Sequence, residues 1–308
     1  MKNVLIDGVS SPLANRLAEL LSHRPEIERL VGVEPAMNSN WPQEIELVAF
    51  ESDHRRQLKH LRDYEIDTVI QCNLAPDRTG ACCKPSAADV IGTMRLGAAV
   101  GHAKSPVRSW VVLSSSAVYP VNSTRPLLNH EASKTVADEV ASDTSIAEAE
   151  EYASAVARRV PHLNVAILRL QELIGKDVRG PLSAHFDLEL VPAVIGHDPV
   201  LQFLHIGDAV DAVSFAADRE LAGIYNVASR GVIRFSDFLC SIHRKSIWLP
   251  PIEAGPLAPI AESLGLPHIA NGLLARLRFG HAIDTHKLES AGFKPSADQL
   301  DCAAVLRR

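Results

Sequence analysis

The stretch Val4-Leu5-Ile6-Asp7-Gly8-Val9-Ser10-Ser11-Pro12-Leu13-Ala14 decides the fold. Its apolar start makes a short buried strand, Asp7-Gly8 turns the chain, and Leu13–Leu21 carries apolar residues at helical spacing. A strand that ends in small residues and feeds a helix is the opening unit of a strand–helix–strand fold. The alternation continues outward from there. Strand-like runs are Val4–Ile6, Leu30–Val33, Ile45–Phe50, Thr68–Cys72, Trp110–Leu113 and Val165–Leu168. Between them, Leu13–Leu21, Leu58–Leu61, Val90–Val100 and Ile146–Val160 have helical patterns. Apolar strands separated by helices predict the α/β class, with a doubly wound, Rossmann-type parallel sheet covered on both faces. Right-handed crossovers then put a ligand crevice beyond the carboxyl ends of the strands.

After Gly175 the alternation lapses. Pro181, Pro192 and Pro199 punctuate residues 176–200, and 249–272 is rich in Pro, Gly and Ala, which reads as loops and short helices. Leu201–His205 and Gly223–Val227 return to strand character. The expected division is a nucleotide-binding domain over 1–175, rejoined by 201–239, and a smaller α+β substrate lobe from 176–200 and 240–308.

Composition narrows the function. The chain has 308 residues, 46% hydrophobic and 22% charged, with a formal net charge of −6, enough apolar material for a sizeable core. That charge and the lack of a long basic run argue against nucleic acid or an anionic membrane surface as the main partner. No apolar stretch reaches the roughly 18 residues of a spanning helix, and the amino-terminal residues do not read as a signal peptide. Five cysteines, an odd number with no C-x-x-C spacing, do not form a disulfide framework, so a reduced, cytoplasmic protein is expected. None of the thirteen histidines is paired at i and i+4 around an acid, and no metal is expected.

The turn at Gly8 suits a dinucleotide. A glycine lets backbone approach a pyrophosphate, and a helix N-terminus offers N–H groups and a positive dipole end. Of a G-x-x-G-x-x-G pattern only Gly8 is kept, with Ser11 and Ala14 at the other places; Ser11 is either a phosphate contact or an ordinary helix N-cap. Glu34 ends the second strand about twenty residues later, where an acid binds the adenosine ribose; its carboxylate would repel a 2′-phosphate, favouring NAD over NADP.

With those residues in hand, the chain resembles the extended short-chain dehydrogenase/reductase family, in its NAD-dependent epimerase/dehydratase branch. The stretches VLIDGVSSPLANRLAELL, RLVGVEP, DTVIQCNLAP, DVIGTMRLGAA, WVVLSSSAVYP, VAILRLQELIG, LQFLHIGDAVDAV, GIYNVAS and AIDTHKLESAGFKP match in order and spacing. VPAVIGHDPVLQFLH is similar to a bacterial subgroup labelled as possible UDP-glucose 4-epimerases. The resemblance implies that Gly8, Ser10, Ser11, Pro12, Leu13 and Ala14 form the phosphate turn and that Glu34 holds the ribose. Glu51 and Ser52 then lie at the adenine edge, with Cys72, Asn73, Leu74, Leu113 and Leu170 along the rest of the cofactor. It places Ser115 at the catalytic hydroxyl position, and Ser116, Glu172, His205 and Arg276 on the substrate side, the last at a diphosphate. Glu172 stands where the family has an asparagine, and Leu170 where it has a proline.

The family's hydride transfer uses a phenolate Tyr and a Lys four residues on, stacked on one helix face. A phenol near pKa 10 is a poor base at neutral pH without a cation beside it. The four tyrosines are Tyr64, Tyr119, Tyr152 and Tyr225, and the residues four places on are Thr68, Ser123, Val156 and Ser229. No Tyr-x-x-x-Lys exists. The Tyr position falls near Val140 to Ser142 and the Lys position near Thr144 to Ile146, among Asp138, Glu139, Asp143, Glu148, Glu150 and Glu151, whose charge would raise a phenol's pKa. Three readings stay open: an epimerase or oxidoreductase with another base (Lys134, Tyr152, His130 or Glu172), a dinucleotide-binding sensor or partner without turnover, or a scaffold that has left cofactor use. Tyr152 reads better as packing. Asp208 is expected to cap the helix after His205. The helices carrying Ala98, Ala99, Ala153 and Ala157 are, by the resemblance, a homodimer interface, with burial inside one chain the other reading of those alanines. The substrate is expected to be a small molecule, such as a nucleotide sugar.

Overall fold

A computed structural model describes residues 2–9, 11–34, 45–49, 53–75, 87–124, 127–133, 135, 144–179, 181–250 and 271–307. The sheet and its helices run β1 (Lys2–Asp7), α1 (Pro12–Ser22), β2 (Ile27–Glu34), β3 (Glu46–Ala49), α2 (His54–Asp63), β4 (Thr68–Gln71), α3 (Ala87–Val100), β5 (Ser109–Ser115), α4 (Ser145–Arg159), β6 (Asn164–Leu170), α5 (Ile206–Asp218) and β7 (Gly223–Val227). The strand order is β7-β6-β5-β4-β1-β2-β3, and every pairing is parallel. This is the doubly wound sheet expected from the sequence.

Alternate strand residues explain the two layers. Val4 and Ile6 of β1, with Val111 and Leu113 of β5, face α1 and α5. Leu5, Val69, Trp110 and Val112 face the opposite way, onto α2, α3 and α4. Gly97 lets α3 and α4 close up: a Cβ there would stand 2.7 Å from the Tyr152 ring and 2.9 Å from Trp110. Tyr152 is thus a packing residue of this helix pair, as its spacing suggested.

A separate aromatic core lies outside the sheet. Phe238 is centred 4.7 Å from Phe186 and 4.8 Å from Phe203, with Phe235 also in the cluster. Beside it, Leu190–Val194 pairs in parallel with Lys245–Leu249. The run expected as one strand over Leu201–His205 is two. Val200–Leu201 pairs antiparallel with Ile233–Arg234, whereas Leu204–His205 pairs parallel with Leu173–Ile174. Between them the Gln299 side chain takes the Phe203 N–H at 2.8 Å, so a side chain replaces the ladder bond. Leu288 and Phe293 return to the core layer that contains α5 and β7. Among the described residues no helix is long and apolar enough to cross a membrane.

Candidate active site

The carboxyl edge of the sheet gathers the candidate residues. Ser115, Leu170 and Val227 are level with one another at the ends of β5, β6 and β7. At the end of β1, Gly8 has φ +88°, and a Cβ there would meet the Asn73 nitrogen at 2.9 Å. Hydrogen bonds from Gly8 N to Val33 O (3.1 Å) and from Cys72 N to Asp7 O (2.7 Å) fix this turn against its neighbours. Ser11 is the N-cap of α1: its Oγ accepts the Ala14 N–H at 3.0 Å, which leaves its own O–H free to donate, so both readings of Ser11 are compatible. Pro12 occupies the first helical position without an N–H.

Leu13, Ala14, Cys72, Leu74, Leu113 and Leu170 are fully buried and form the packing beneath the crevice. Asn73 lies at its floor against Gly8 and accepts a bond from Gln71 Nε2 at 2.8 Å. Glu34 closes β2 opposite Ala49. Its side chain, and Ser10, Glu51, Ser52, Lys134 and Val140 to Ser142, lie outside the described residues. A dinucleotide fits what is described: a side-chain-free Gly8 turn, a helix N-terminus directly after it, and a hydroxyl at Ser11 in place of the N–H that Pro12 lacks.

Ser115 caps the short 3-10 turn Ser116–Val118, its Oγ accepting the Ala117 N–H at 3.2 Å. Ser116 is turned inward, donating to Gln171 Oε1 at 2.6 Å. Gln171 Nε2 in turn lies 3.2 Å from His281 Nδ1, and Gln202 Oε1 accepts the Ile283 N–H at 2.9 Å. Burial, then the Arg276 charge, pushes the His281 imidazole down to about 3, so it is neutral at ordinary pH. Glu172 and Arg276, both expected at the substrate, are brought to each other. Arg276 Nη1 donates to Glu172 Oε2 at 2.8 Å, and Glu172 Oε1 accepts the Leu182 N–H at 2.9 Å.

Behind Ser115 lies a second buried network. Arg169 donates from Nη2 to Glu150 Oε2 at 2.6 Å and from Nε to both carboxylate oxygens at 3.1 Å. Ser114 Oγ donates to Glu150 at 2.5 Å, Arg169 Nη1 to the Tyr119 oxygen at 2.8 Å, and Tyr119 O–H to Asn226 Oδ1 at 2.8 Å. Burial works to lower the Arg169 pKa, but the Glu150 bonds and charge outweigh it and hold the guanidinium above its ordinary value. Burial raises the Tyr119 phenol against the opposing Arg169 charge, so Tyr119 is no phenolate. Glu150 is paired with Arg169, and its charge still acts to raise the Tyr119 phenol, as expected of an acid beside a phenol.

Two expectations change. His205, not Asp208, caps α5, its Nδ1 accepting the Gly207 N–H at 3.2 Å. Asp208 sits inside the first turn and turns away, accepting from Ser229 Oγ (2.7 Å), Ser296 N (2.8 Å) and Ser296 Oγ (2.7 Å), so it anchors the carboxyl-terminal segment. Among the alternative bases, His130 is exposed with Nδ1 2.9 Å from Asp284, and Glu172 is engaged by Arg276. Thr144 to Ile146 open α4, where Thr144 donates to Glu148. Sequence reasoning missed Gln171, Gln202 and His281; Arg169, a lone charge inside the apolar run VAILRL, was the one visible signal.

Comparison with known proteins decides the lineage: the NAD dependent epimerase/dehydratase family matches residues 4–228. The chain belongs to this family. An uncharacterized protein of Mycobacterium tuberculosis is 29% identical over 303 residues, covering 96% of this chain and 80% of that protein. In structure, the chain is similar to UDP-glucuronic acid 4-epimerase from Bacillus cereus in complex with NAD, at TM-score 0.71 and 14% identity, covering 99% of this chain and 94% of that one. It is also similar to dTDP-glucose 4,6-dehydratase from Bacillus anthracis in complex with NAD, at TM-score 0.69 and 12% identity, covering 98% and 94%. Likeness at these identities is likeness of fold, and it agrees with the sheet order above.

Proposed function

We propose that this member of the epimerase/dehydratase family binds NAD with its diphosphate against the Gly8 turn and acts by hydride transfer on a sugar-like small molecule placed beside Ser115. The observation that carries the reading is Gly8 itself, held at φ +88° with its missing Cβ against Asn73, directly before a capped helix N-terminus. Ser11 supplies a hydroxyl donor there, and Glu34 is placed by sequence for the ribose and for NAD over NADP. When bound, the nicotinamide supplies a hydride acceptor. The chain's own part is to orient a substrate hydroxyl through Ser115 and to exclude water over the packed ends of β5 and β6. The aromatic core joins Phe186, from the expected substrate lobe, to Phe203, Phe235 and Phe238, from the 201–239 stretch expected in the nucleotide-binding domain; in this reading that stretch is shared between the two. We place the protein in the cytoplasm, and the exposed Ile91 and Met94 on α3 support a homodimer through that helix.

The lack of any Tyr-x-x-x-Lys favours a second reading, a dinucleotide-binding sensor without turnover. One experiment separates them. NAD and NADH are titrated into the full chain by calorimetry, and nicotinamide absorbance is followed with a panel of nucleotide sugars and free sugars. Micromolar NAD affinity with turnover lost in Ser115→Ala supports the enzyme; the same affinity with no turnover supports the sensor. No heat with either redox form overturns both.

A further inference from the structure

A cavity of about 110 Å³, room for about four waters, opens between residues 120–123 and 279–281. Its described wall includes none of the residues placed at the cofactor or beside Ser115. The wall is held from behind. Gly280 N donates to Arg276 O at 2.9 Å, His281 N to Val200 O at 3.2 Å, and Ala282 N to Leu127 O at 3.2 Å. Gly280 itself has φ +73°, and a Cβ there would stand 2.6 Å from Val200 O, so this side of the cavity is preformed.

The lining is neutral and incompletely bonded. Among the described residues no Asp, Glu, Lys or Arg lines the cavity, and His281 is uncharged at ordinary pH. Pro120, Leu127 and Phe279 supply apolar surface. Asn129 is 4% exposed, and its Nδ2 donates to Ala282 O at 3.4 Å, while its Oδ1 acceptor has no partner among the described residues. Asn122 Oδ1 takes the Thr124 N–H at 3.0 Å and O–H at 2.8 Å, which leaves the Asn122 Nδ2 donors unbonded there, as is the Ser123 O–H. A buried acceptor without a donor costs free energy, and a ligand that supplies the donor recovers it.

We propose that this cavity binds a small neutral polyol of three or four carbons, at a site apart from the NAD and Ser115 positions. A hydroxyl both donates and accepts, so one can donate to Asn129 Oδ1 while its neighbours accept from Asn122 and Ser123. The C–H edges of such a molecule then cover Pro120, Leu127 and Phe279. A charged molecule of the same size would lose its hydration here with no counter-charge to replace it.

The test titrates erythritol, and separately its charged counterpart erythronate, into the isotope-labelled full chain and follows backbone amide shifts by NMR. Saturable shifts at 120–123, 127, 129 and 279–281 are expected, with about millimolar affinity for erythritol and binding of erythronate weaker by about tenfold or more. Ser123→Phe should fill the opening and abolish the shifts, and Asn129→Leu should weaken binding by about tenfold, the loss of one hydrogen bond. Ser123 is exposed, so its variant keeps the test decisive where Asn129→Leu fails to fold. The proposal is overturned if no shift saturates below about 50 mM erythritol, which would leave the cavity to water. Equal binding of erythronate, or undiminished binding by a folded Ser123→Phe protein, would overturn it as well. Erythritol is titrated without NAD, so the outcome is independent of the cofactor reading.

Discussion

Replacing Arg169 by methionine tests the largest electrostatic commitment behind the site. The side chains of Arg169 and Glu150 are 4% and 5% exposed, so solvent screens the pair little. The substitution fills a similar volume but removes three bonds to Glu150, one to Tyr119 at 2.8 Å and one to the Glu131 carbonyl at 3.1 Å. It also removes the cation stacked 4.9 Å from the Tyr119 ring centre. Among the described residues Glu150 then keeps only Ser114, a neutral donor, and an uncompensated buried carboxylate destabilises by about 3–5 kcal/mol. At about 2–4 °C per kcal/mol for a domain of this class, the melting temperature should fall by about 10 °C. Adding Glu150→Gln removes the orphan charge and should restore about 2 kcal/mol. Differential scanning fluorimetry with a denaturant titration measures both. An Arg169→Met protein within about 1 kcal/mol of wild type, or a double variant no better than the single, would refute the argument that Arg169 compensates the Glu150 charge.

Three further outcomes follow from the same geometry. Gly8→Ala forces a left-handed φ on a residue whose Cβ has no room beside Asn73, so it should cost about 1–3 kcal/mol in thermal unfolding and weaken NAD binding more than Ser11→Ala does. His281 is held at about 3 when folded against an ordinary 6.5; its neutral form contributes stability above pH 6.5 that is lost as pH falls toward 3, at about 1.4 kcal/mol per unit. His281→Gln should flatten that slope in acid titrations of stability, and an unchanged slope would remove His281 as its source. Burial pushes the Cys302 thiol up to about 12, so iodoacetamide at neutral pH should modify the exposed Cys240 and spare Cys302 until the protein is denatured, as peptide mass spectrometry would show.

How much was legible in the sequence differs between scaffold and site. Val4–Ile6, Thr68–Cys72 and Trp110–Leu113 announced their strands because an interior parallel strand is apolar on both faces, a local property. The pattern was equally sufficient for α1, since Ser11, Pro12 and the spacing of Leu13, Leu17 and Leu21 mark a helix start wherever they occur. Asp208 shows where that ends. An acid in a first helical turn reads as a cap, yet its partners are Ser229 and Ser296, the latter 88 residues away, which no local pattern displays.

By itself the sequence determined the winding of the sheet, the glycine at the first turn and the lack of a Tyr-x-x-x-Lys, because periodicity, turn chemistry and residue spacing are properties of neighbours along the chain. Only the tertiary structure decided which charges are spent on each other. Glu150 and Arg169 are 19 residues apart, and Glu172 and Arg276 are 104. An ionic group's chemistry depends on whatever the fold brings within a few ångströms of it, and burial then makes that partner count for more than any residue beside it in sequence.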